Sequence, residues 1–224
     1  MEEKAEQEPK FLVDLHVHTD VSPCGHQSLE ACLERLSKIG YHAVCITDHF
    51  STQAREIFAN LSFNGKVRIF FGMEYSAPEG DFLLFAEEEL PNFPYGLSAR
   101  EVLAEIKKLN GLAIWAHPFR WGNEPDESLL EEGLVHAIEV INGRTAPQDN
   151  AKAFGLAEIY GLPMVAGSDA HTTEELGIVA NFVDRPVETI SDLFDLIKKG
   201  ALEPTILRAS VKSIYTRFAI RDYK

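Results

Sequence analysis

The stretch that decides the fold is Phe11-Leu12-Val13-Asp14-Leu15-His16-Val17-His18, an apolar run that turns polar at its end. In an extended strand, successive side chains point to opposite faces, so Asp14, His16 and His18 share one face. Two imidazoles on one face near the end of a strand can bind one metal ion. The pattern predicts a strand that carries metal ligands, with Asp14 as a structural carboxylate beside them.

Short apolar runs alternate with helical patterns along the rest of the chain, and each run ends in a polar cluster. This alternation is typical of βαβα chains, so we expect an α/β fold with a parallel sheet or barrel. Because parallel strands end at the same edge, the polar clusters should meet on one face. The clusters contain His16, His18, Asp48, His49, Glu74, His117, Asp169 and His171.

So many imidazoles and carboxylates are costly to bury together unless positive charge lies among them. Mixed nitrogen and carboxylate ligands suit Zn, Mn or Fe, and their number exceeds what one tetrahedral ion needs. We therefore predict two or three divalent metal ions. Neighbouring ions of this kind lower the pKa of a bridging water and stabilise the attacking and leaving oxygens at phosphorus. His42 and His136 fit no ligand position and are expected to be structural.

Length and composition indicate one soluble domain. The 224 residues suit a single α/β domain over residues 11–224, behind a short disordered leader at residues 1–10. We expect the basic C-terminal segment, residues 208–224, to close the end of the barrel. The net charge of −14 argues against duplex nucleic acid and membranes as partners, because both attract clustered Lys and Arg. Three cysteines without C-x-x-C spacing and the absence of a signal peptide favour a cytoplasmic protein.

Five motifs, in order between residues 11 and 171, resemble those of the PHP family, the polymerase and histidinol phosphatase domain. They are His16-Val17-His18, Thr47-Asp48-His49, Gly72-Met73-Glu74, Ala116-His117-Pro118 and Ser168-Asp169-Ala170-His171. The resemblance implies a distorted seven-stranded (β/α)7 barrel, a TIM-like fold, that holds two or three metal ions and in many members hydrolyses phosphoesters. Motifs of serine hydrolases, P-loop proteins, dinucleotide-binding enzymes and zincins are absent.

The resemblance also implies a ligand set, carried over position by position. One ion would be held by His16, His18, Glu74 and Asp169. Glu74 would bridge this ion to a second one, which His117 also binds. A third ion would take His49 and His171.

Two positions depart from the common pattern of the family. Asp81 stands where many members have a histidine, and its carboxylate can still bind metal or can weaken that site. The loop after the first strand lacks the usual ligand in its common place, and Ser22-Pro23-Cys24-Gly25-His26 offers His26, or alternatively Cys24.

Together these observations predict a metal-dependent phosphoesterase that hydrolyses a small phosphomonoester or a short nucleotide by a metal-activated hydroxide. Asp48 is expected to orient the ligand set, because ligating imidazoles need their second nitrogen fixed. Arg144 and Arg120 are candidates for a bidentate phosphate clamp, with a surface salt bridge as the equal alternative for both. The alternative functions are a metal-dependent amide or lactone hydrolase and a non-catalytic, metal-binding regulatory scaffold.

Overall fold

The computed structural model describes residues 11–208, which form ten strands and six α-helices. The leader predicted at residues 1–10, and all but the first residue of the predicted C-terminal closure, lie outside the described residues. The strands are β1 (Phe11–Val17), β2 (Ala43–Ile46), β3 (Arg68–Phe71), β4 (Met73–Ala77), β5 (Gly80–Phe85), β6 (Leu112–Ala116), β7 (Ala137–Asn142), β8 (Met164–Gly167), β9 (Val179–Val183) and β10 (Glu203–Ile206). The helices are α1 (Leu29–Lys38), α2 (Ala54–Ala59), α3 (Ala99–Lys108), α4 (Ser128–Glu131), α5 (Pro147–Tyr160) and α6 (Ile190–Lys198).

The strands form two five-stranded sheets, which confirms an α/β fold but not a closed seven-stranded barrel. The strand orders are β10-β9-β1-β2-β3 and β4-β5-β6-β7-β8. Strands β1, β2 and β3 are parallel, as are β6, β7 and β8. Strand β9 runs antiparallel to β1, and β5 runs antiparallel to both β4 and β6. These inverted strands interrupt the uniform parallel ladder of a regular β/α barrel, and no closed sheet forms among the described residues, so a closed seven-stranded barrel is not shown.

The two sheets meet at two places, both next to the ends of β1 and β2. On one side, only Gly72 separates β3 from β4, and His49 forms an isolated parallel bridge with Glu74. On the other side, Val17 forms a parallel bridge with Ala170. Residues that follow β1 and β2 therefore lie against β4 and against the loop after β8.

Local sequence signals set the helices that cover the sheets. The Ser98 hydroxyl accepts a hydrogen bond from Glu101 N, and the Glu101 carboxylate accepts one from Ser98 N, so Ser98-Ala99-Arg100-Glu101 forms a capping box at the start of α3. In α1, the residues at helical spacing from Leu29 to Leu36 are buried. No helix among residues 11–208 is long and apolar enough to cross a membrane.

Candidate metal centre

The side chains that follow the strands meet at one cavity of about 560 Å³. His16 and His18, at the end of β1, are fully buried, and neighbouring side chains from both sheets line the cavity. The predicted site residues that line it are His26, His49, Glu74, Asp81, His117, Arg120, Arg144, Asp169 and His171. The structure thus brings together residues that are separated by up to 155 positions in sequence, from His16 to His171.

Four donor atoms converge as the ligands of one tetrahedral cation would. His16 Nε2 and His18 Nε2 lie 3.0 Å apart, and Glu74 Oε2 lies 3.2 Å from the first and 3.0 Å from the second. Asp169 Oδ1 lies 3.6 Å from His16 Nε2 and 3.3 Å from His18 Nε2. Metal–ligand bonds of about 2.0 to 2.1 Å in tetrahedral geometry separate neighbouring ligand atoms by about 3.3 Å. The four side chains therefore fit a divalent cation, which would also stabilise the close approach of two imidazole nitrogens.

Buried partners fix which ring nitrogen of these histidines faces the cluster. Glu139 Oε1 lies 3.0 Å from His16 Nδ1, and an ionised carboxylate only accepts, so Nδ1 carries a hydrogen and Nε2 is the nitrogen that faces the cluster. Ser22 Oγ donates to Asp48 Oδ1 at 2.6 Å and therefore accepts from His18 Nδ1 at 3.1 Å. Asp48 thus orients His18 through the Ser22 hydroxyl.

Glu139, in β7, is a site residue that the sequence motifs do not include. Its side chain is fully buried, and its Oε2 accepts hydrogen bonds from His117 N and Asn142 Nδ2, each at 3.0 Å. The sequence signal is a single carboxylate inside the apolar run Ala-Ile-Glu-Val-Ile at residues 137–141. A charge within a buried strand needs polar partners, so such a residue indicates a buried site.

A second group of potential ligands consists of Glu74, Asp81 and His117, whose donor atoms lie within 4.8 Å of one another. Glu74 Oε1 lies 3.1 Å from His117 Nε2, while Glu74 Oε2 faces the first cluster, so this carboxylate is placed to bridge two ions. Asp81 Oδ2 lies 3.7 Å from His117 Nδ1. The antiparallel pairing of β5 with β6 sets Asp81 opposite Ala116, which explains why a residue at the start of one strand reaches the end of another.

A third group consists of His18, His49 and His171, with donor atoms within 4.8 Å of one another. His171 Nδ1 lies 2.8 Å from the carbonyl oxygen of Asp169, so Nδ1 carries the hydrogen and Nε2 is free to bind metal. His49 Nδ1 is buried, has no hydrogen-bond partner among the described residues, and lies 3.4 Å from Glu74 Oε2. A buried nitrogen without a partner is typical of a ligand position.

The loop after β1 brings Cys24 into contact with this third group. Cys24 Sγ lies 3.2 Å from His171 Nε2. His26 is exposed on the cavity wall, and its backbone N donates to the carbonyl oxygen of His171 at 2.8 Å. Within residues 11–208, His26 belongs to none of the groups of three or more clustered donors. Ligation by His26 stays a prediction, and Cys24 is the loop donor that touches the cluster.

The two arginines predicted as a phosphate clamp occupy different positions. Arg120 donates to Asp169 Oδ2 and to Asn142 Oδ1, each at 2.5 Å, so its guanidinium orients a carboxylate of the cluster. Arg144 lines the cavity, and its Nε lies 3.7 Å from Glu175 Oε1. Because Arg120 is committed to Asp169, Arg144 is the better candidate for contact with a phosphate.

Burial and mutual charge shift the pKa values of the cluster. Burial raises the pKa of Glu74 and Asp169, but their hydrogen-bonded and positively charged partners together outweigh burial and hold both pKa values well below their usual range; His16 contributes most for Glu74 and Arg120 for Asp169. Burial lowers the pKa of His16, but Glu74, Asp169 and Glu139 together outweigh burial and raise that pKa well above its usual range. The carboxylates thus require positive charge beside them, and a divalent cation can replace the imidazole proton. Burial lowers the pKa of His171 to about 4, which leaves its ring neutral at pH 7.

Backbone strain is concentrated around the cavity. Phe50, His117, Trp121 and Asp169 have φ values of 53°, 30°, 63° and 53°. The other non-glycine residue with positive φ within residues 11–208 is Asn110, at the end of α3, where this conformation is common. Left-handed backbone at such residues costs about 1 to 3 kcal/mol each and is typical of functional sites.

Comparison with protein families agrees with this geometry. A family model described as the PHP domain matches residues 14–146, more than half of the chain, and a model described as PHP-associated matches residues 147–202. The chain belongs to the PHP domain family. The resemblance drawn from the five motifs is therefore confirmed, and the first four motifs of this PHP chain lie within the PHP-domain match.

Several proteins are similar to this PHP chain. An uncharacterized protein of Methanocaldococcus jannaschii is 32% identical over 196 residues, which cover 81% of this chain and 74% of that protein. A probable histidinol-phosphatase of Thermotoga maritima is 24% identical over 207 residues, which cover 74% of this chain and 87% of that protein. The solved structure of a two-domain protein from Bacteroides vulgatus, which contains a predicted PHP-like metal-dependent phosphoesterase, has a TM-score of 0.70 at 16% identity and covers 89% of this chain and 65% of that chain. At this identity the structure supports the fold alone.

One expectation about partners is contradicted by a solved structure of the same fold. Endonuclease Q, in complex with a 27-mer duplex that has an abasic lesion at the active site, has a TM-score of 0.65 with this chain at 17% identity, covering 88% of this chain and 58% of that chain. The fold therefore accommodates duplex DNA, and our exclusion of duplex nucleic acid is wrong. Metal ligands in a cleft can bind one phosphate locally, so a net charge of −14 does not decide the question.

Proposed function

We propose that this PHP protein is a metal-dependent phosphoesterase that hydrolyses a small phosphomonoester or a short nucleotide. The observation that carries the proposal is the convergence of His16, His18, Glu74 and Asp169 at tetrahedral spacing beside an open cavity of about 560 Å³. Divalent ions bound there would lower the pKa of a coordinated water and neutralise phosphate charge. The second and third donor groups support the proposal of two or three ions.

Residues around the ligands hold them in the state that binds metal. Glu139 keeps the hydrogen of His16 on Nδ1, and the Asp48–Ser22 pair does the same for His18. Each ring therefore presents Nε2, the nitrogen that would bind metal, to the cluster, where a divalent cation would replace the imidazole proton. Preorganisation of this kind is typical of a catalytic site, in which ligands must not rearrange during the reaction.

Two arginines near the cluster would have different roles, one toward the substrate and one toward a ligand. Arg144, whose side chain is 22% exposed, lines the same cavity as the ligands and can donate to phosphate oxygens from the side that faces solvent. Arg120 holds Asp169 in place rather than contacting substrate. The cavity is open to one side. This suits a small phosphomonoester or the end of a nucleotide chain, part of which can extend out of the cavity, more than a substrate that must be fully enclosed.

The experiment that tests the proposed function combines metal analysis with turnover. Elemental analysis of the purified protein would identify the bound ions, and a phosphate-release screen would cover nucleotides, sugar phosphates and histidinol phosphate. We expect His16→Ala and His18→Ala to lose metal and at least 100-fold in turnover, because each removes a buried ligand.

The matched control is His136→Ala, since this histidine lies outside the cluster and its Nδ1 accepts a hydrogen bond from Ala113 N. It should retain both metal and activity. Full turnover in metal-depleted His16→Ala protein would contradict the proposal, and so would release of no phosphate from any ester by fully metal-loaded wild type.

A further inference from the structure

A row of aromatic rings leads from the core to the rim of the metal cavity. Tyr75 is fully buried, Phe50 is half-buried, and Tyr95 is 79% exposed. The ring centroids of Tyr75 and Phe50 are 4.9 Å apart in an edge-to-face arrangement, and those of Phe50 and Tyr95 are 4.4 Å apart. Phe50 directly follows His49, so the middle ring of this row lies beside a potential metal ligand. We call Phe50 and Tyr95 together the aromatic shelf.

The aromatic shelf is held in place from behind. The Tyr75 hydroxyl donates to the carbonyl oxygen of Pro94 at 2.7 Å and accepts from Leu97 N at 3.0 Å. These two bonds clamp the segment that carries Tyr95 on both sides. Phe50 has a φ of 53°, and its backbone N donates to the carbonyl oxygen of Glu74 at 3.0 Å. The strained backbone thus holds the Phe50 ring between the buried Tyr75 ring and the exposed Tyr95 ring.

The shelf borders its own cavity of about 330 Å³, which adjoins the metal cavity. Cys24, His49 and Ser76 line both cavities, and Pro23 completes the wall of the smaller one. A phosphoester with its phosphate at the metal cluster can therefore extend its leaving group over Phe50 and Tyr95. The wall of this second cavity is mostly apolar and aromatic, whereas charged side chains predominate around the first.

We propose that the aromatic shelf binds a nucleobase of the substrate by stacking, so that the preferred substrates are nucleoside phosphates or nucleotide ends. This inference rests on the proposed phosphoesterase function. Flat aromatic surfaces at the rim of a phosphate site match the π-faces that every base presents, and stacking on aromatic side chains tolerates different bases. A sugar phosphate or glycerol phosphate has no ring to place there.

The test compares two substrates in two variants. Tyr95→Ala should raise the KM for adenosine monophosphate roughly 5- to 100-fold, the range expected from loss of one base–aromatic stack. It should leave the KM for glycerol phosphate unchanged, because the phosphate contacts are intact. Ile159→Ala is the matched control, since Ile159 is 78% exposed on α5 and lines neither cavity. Tyr95→Phe, which keeps the ring, should behave as wild type.

A second readout is independent of turnover. Adenosine without phosphate should bind the metal-free protein weakly and shift the ring resonances of Tyr95 in NMR spectra, and Tyr95→Ala should abolish this binding. Equal KM changes for both substrates, or unchanged adenosine binding in Tyr95→Ala, would contradict base stacking on the aromatic shelf while leaving the phosphoesterase proposal intact. Tyr95-dependent adenosine binding without hydrolysis of any ester would support the shelf and overturn the proposed function instead.

Discussion

Replacement of Glu139 by Gln is the sharpest test of how the metal centre is organised, because it exchanges one oxygen for an NH2 group. Glu139 Oε2 accepts from His117 N and Asn142 Nδ2, so the oxygen of a glutamine would occupy this position. The NH2 group would then face His16 Nδ1 at the place of Glu139 Oε1. His16 would have to accept there and carry its hydrogen on Nε2, which faces the cluster. A protonated Nε2 cannot bind metal.

The size of the effect follows from the two ways in which the variant could still bind metal. The glutamine could turn its oxygen to His16, but its NH2 group would then face the two donors of His117 and Asn142. Each buried donor left without an acceptor costs about 1 to 3 kcal/mol. Either route leaves two buried donors without an acceptor and costs the bound state about 2 to 6 kcal/mol, so metal binding should weaken by roughly 30-fold or more. Substitution of residues that orient metal ligands typically costs about 10- to 100-fold, in the same range.

Affinity would be measured by competition with a chromophoric chelator, and the His16 tautomer by long-range ¹H–¹⁵N NMR of the imidazole rings. The matched control is Glu175→Gln, which removes the same charge near the cavity from a carboxylate that accepts from His171 N rather than from a ring nitrogen. This control should bind metal within a few-fold of wild type. Wild-type affinity in Glu139→Gln, together with a hydrogen that stays on His16 Nδ1, would refute the reasoning.

Three further predictions concern stability and thiol chemistry. Burial raises the pKa of Asp14 from 3.8 to about 6, so the native state binds a proton more tightly than the unfolded chain. The free energy of unfolding therefore falls as pH rises from about 4 to 6. Above pH 6 the loss of stability is up to about 3 kcal/mol. In metal-free protein, Asp14→Asn should raise the melting temperature at pH 8 but not at pH 4, and an equal shift at both would contradict the burial argument. A thiol reagent should modify the exposed Cys24 in the native protein but not the buried Cys32 and Cys45. Mass spectrometry would identify the modified cysteines, and modification of Cys32 or Cys45 before Cys24 would contradict the prediction. Thr189→Ala removes the N-cap of α6 and should lower the free energy of unfolding by about 1 kcal/mol in a denaturant titration, with no change in metal content.

Much of the candidate site follows from sequence because its residues come directly after apolar runs. His16, His49, His117 and His171 all stand at or just beyond strand ends, where polar groups collect at one edge of the sheets. Their convergence was predicted from the βαβα alternation, which led us to expect parallel strands that end at the same edge. Glu139 was not, because it lies inside a strand, and only the pairing of β7 with β8, together with the approach of β8 to β1, turns an isolated carboxylate into the partner of His16.

The fold was predictable to a similar degree. Period-two and helical patterns indicated most strands and helices, since these patterns report which residues face the core. They carry no information on strand direction, so β5 and β9 were not expected to be antiparallel, and the two open sheets replaced the closed barrel. The register of β5 against β6 in turn placed Asp81 opposite Ala116, which brings the Asp81 carboxylate next to His117.

The sequence by itself thus determined the family, the α/β class and most of the potential metal ligands, because these depend on local spacing and residue chemistry. Only the tertiary structure decided which atoms meet. It committed Arg120 to Asp169, gave His16 and His18 their buried partners, and set Tyr95 on Phe50 beside the cavity. These contacts join residues far apart in the chain, and their distances are set by how the two sheets pack against each other rather than by any local pattern.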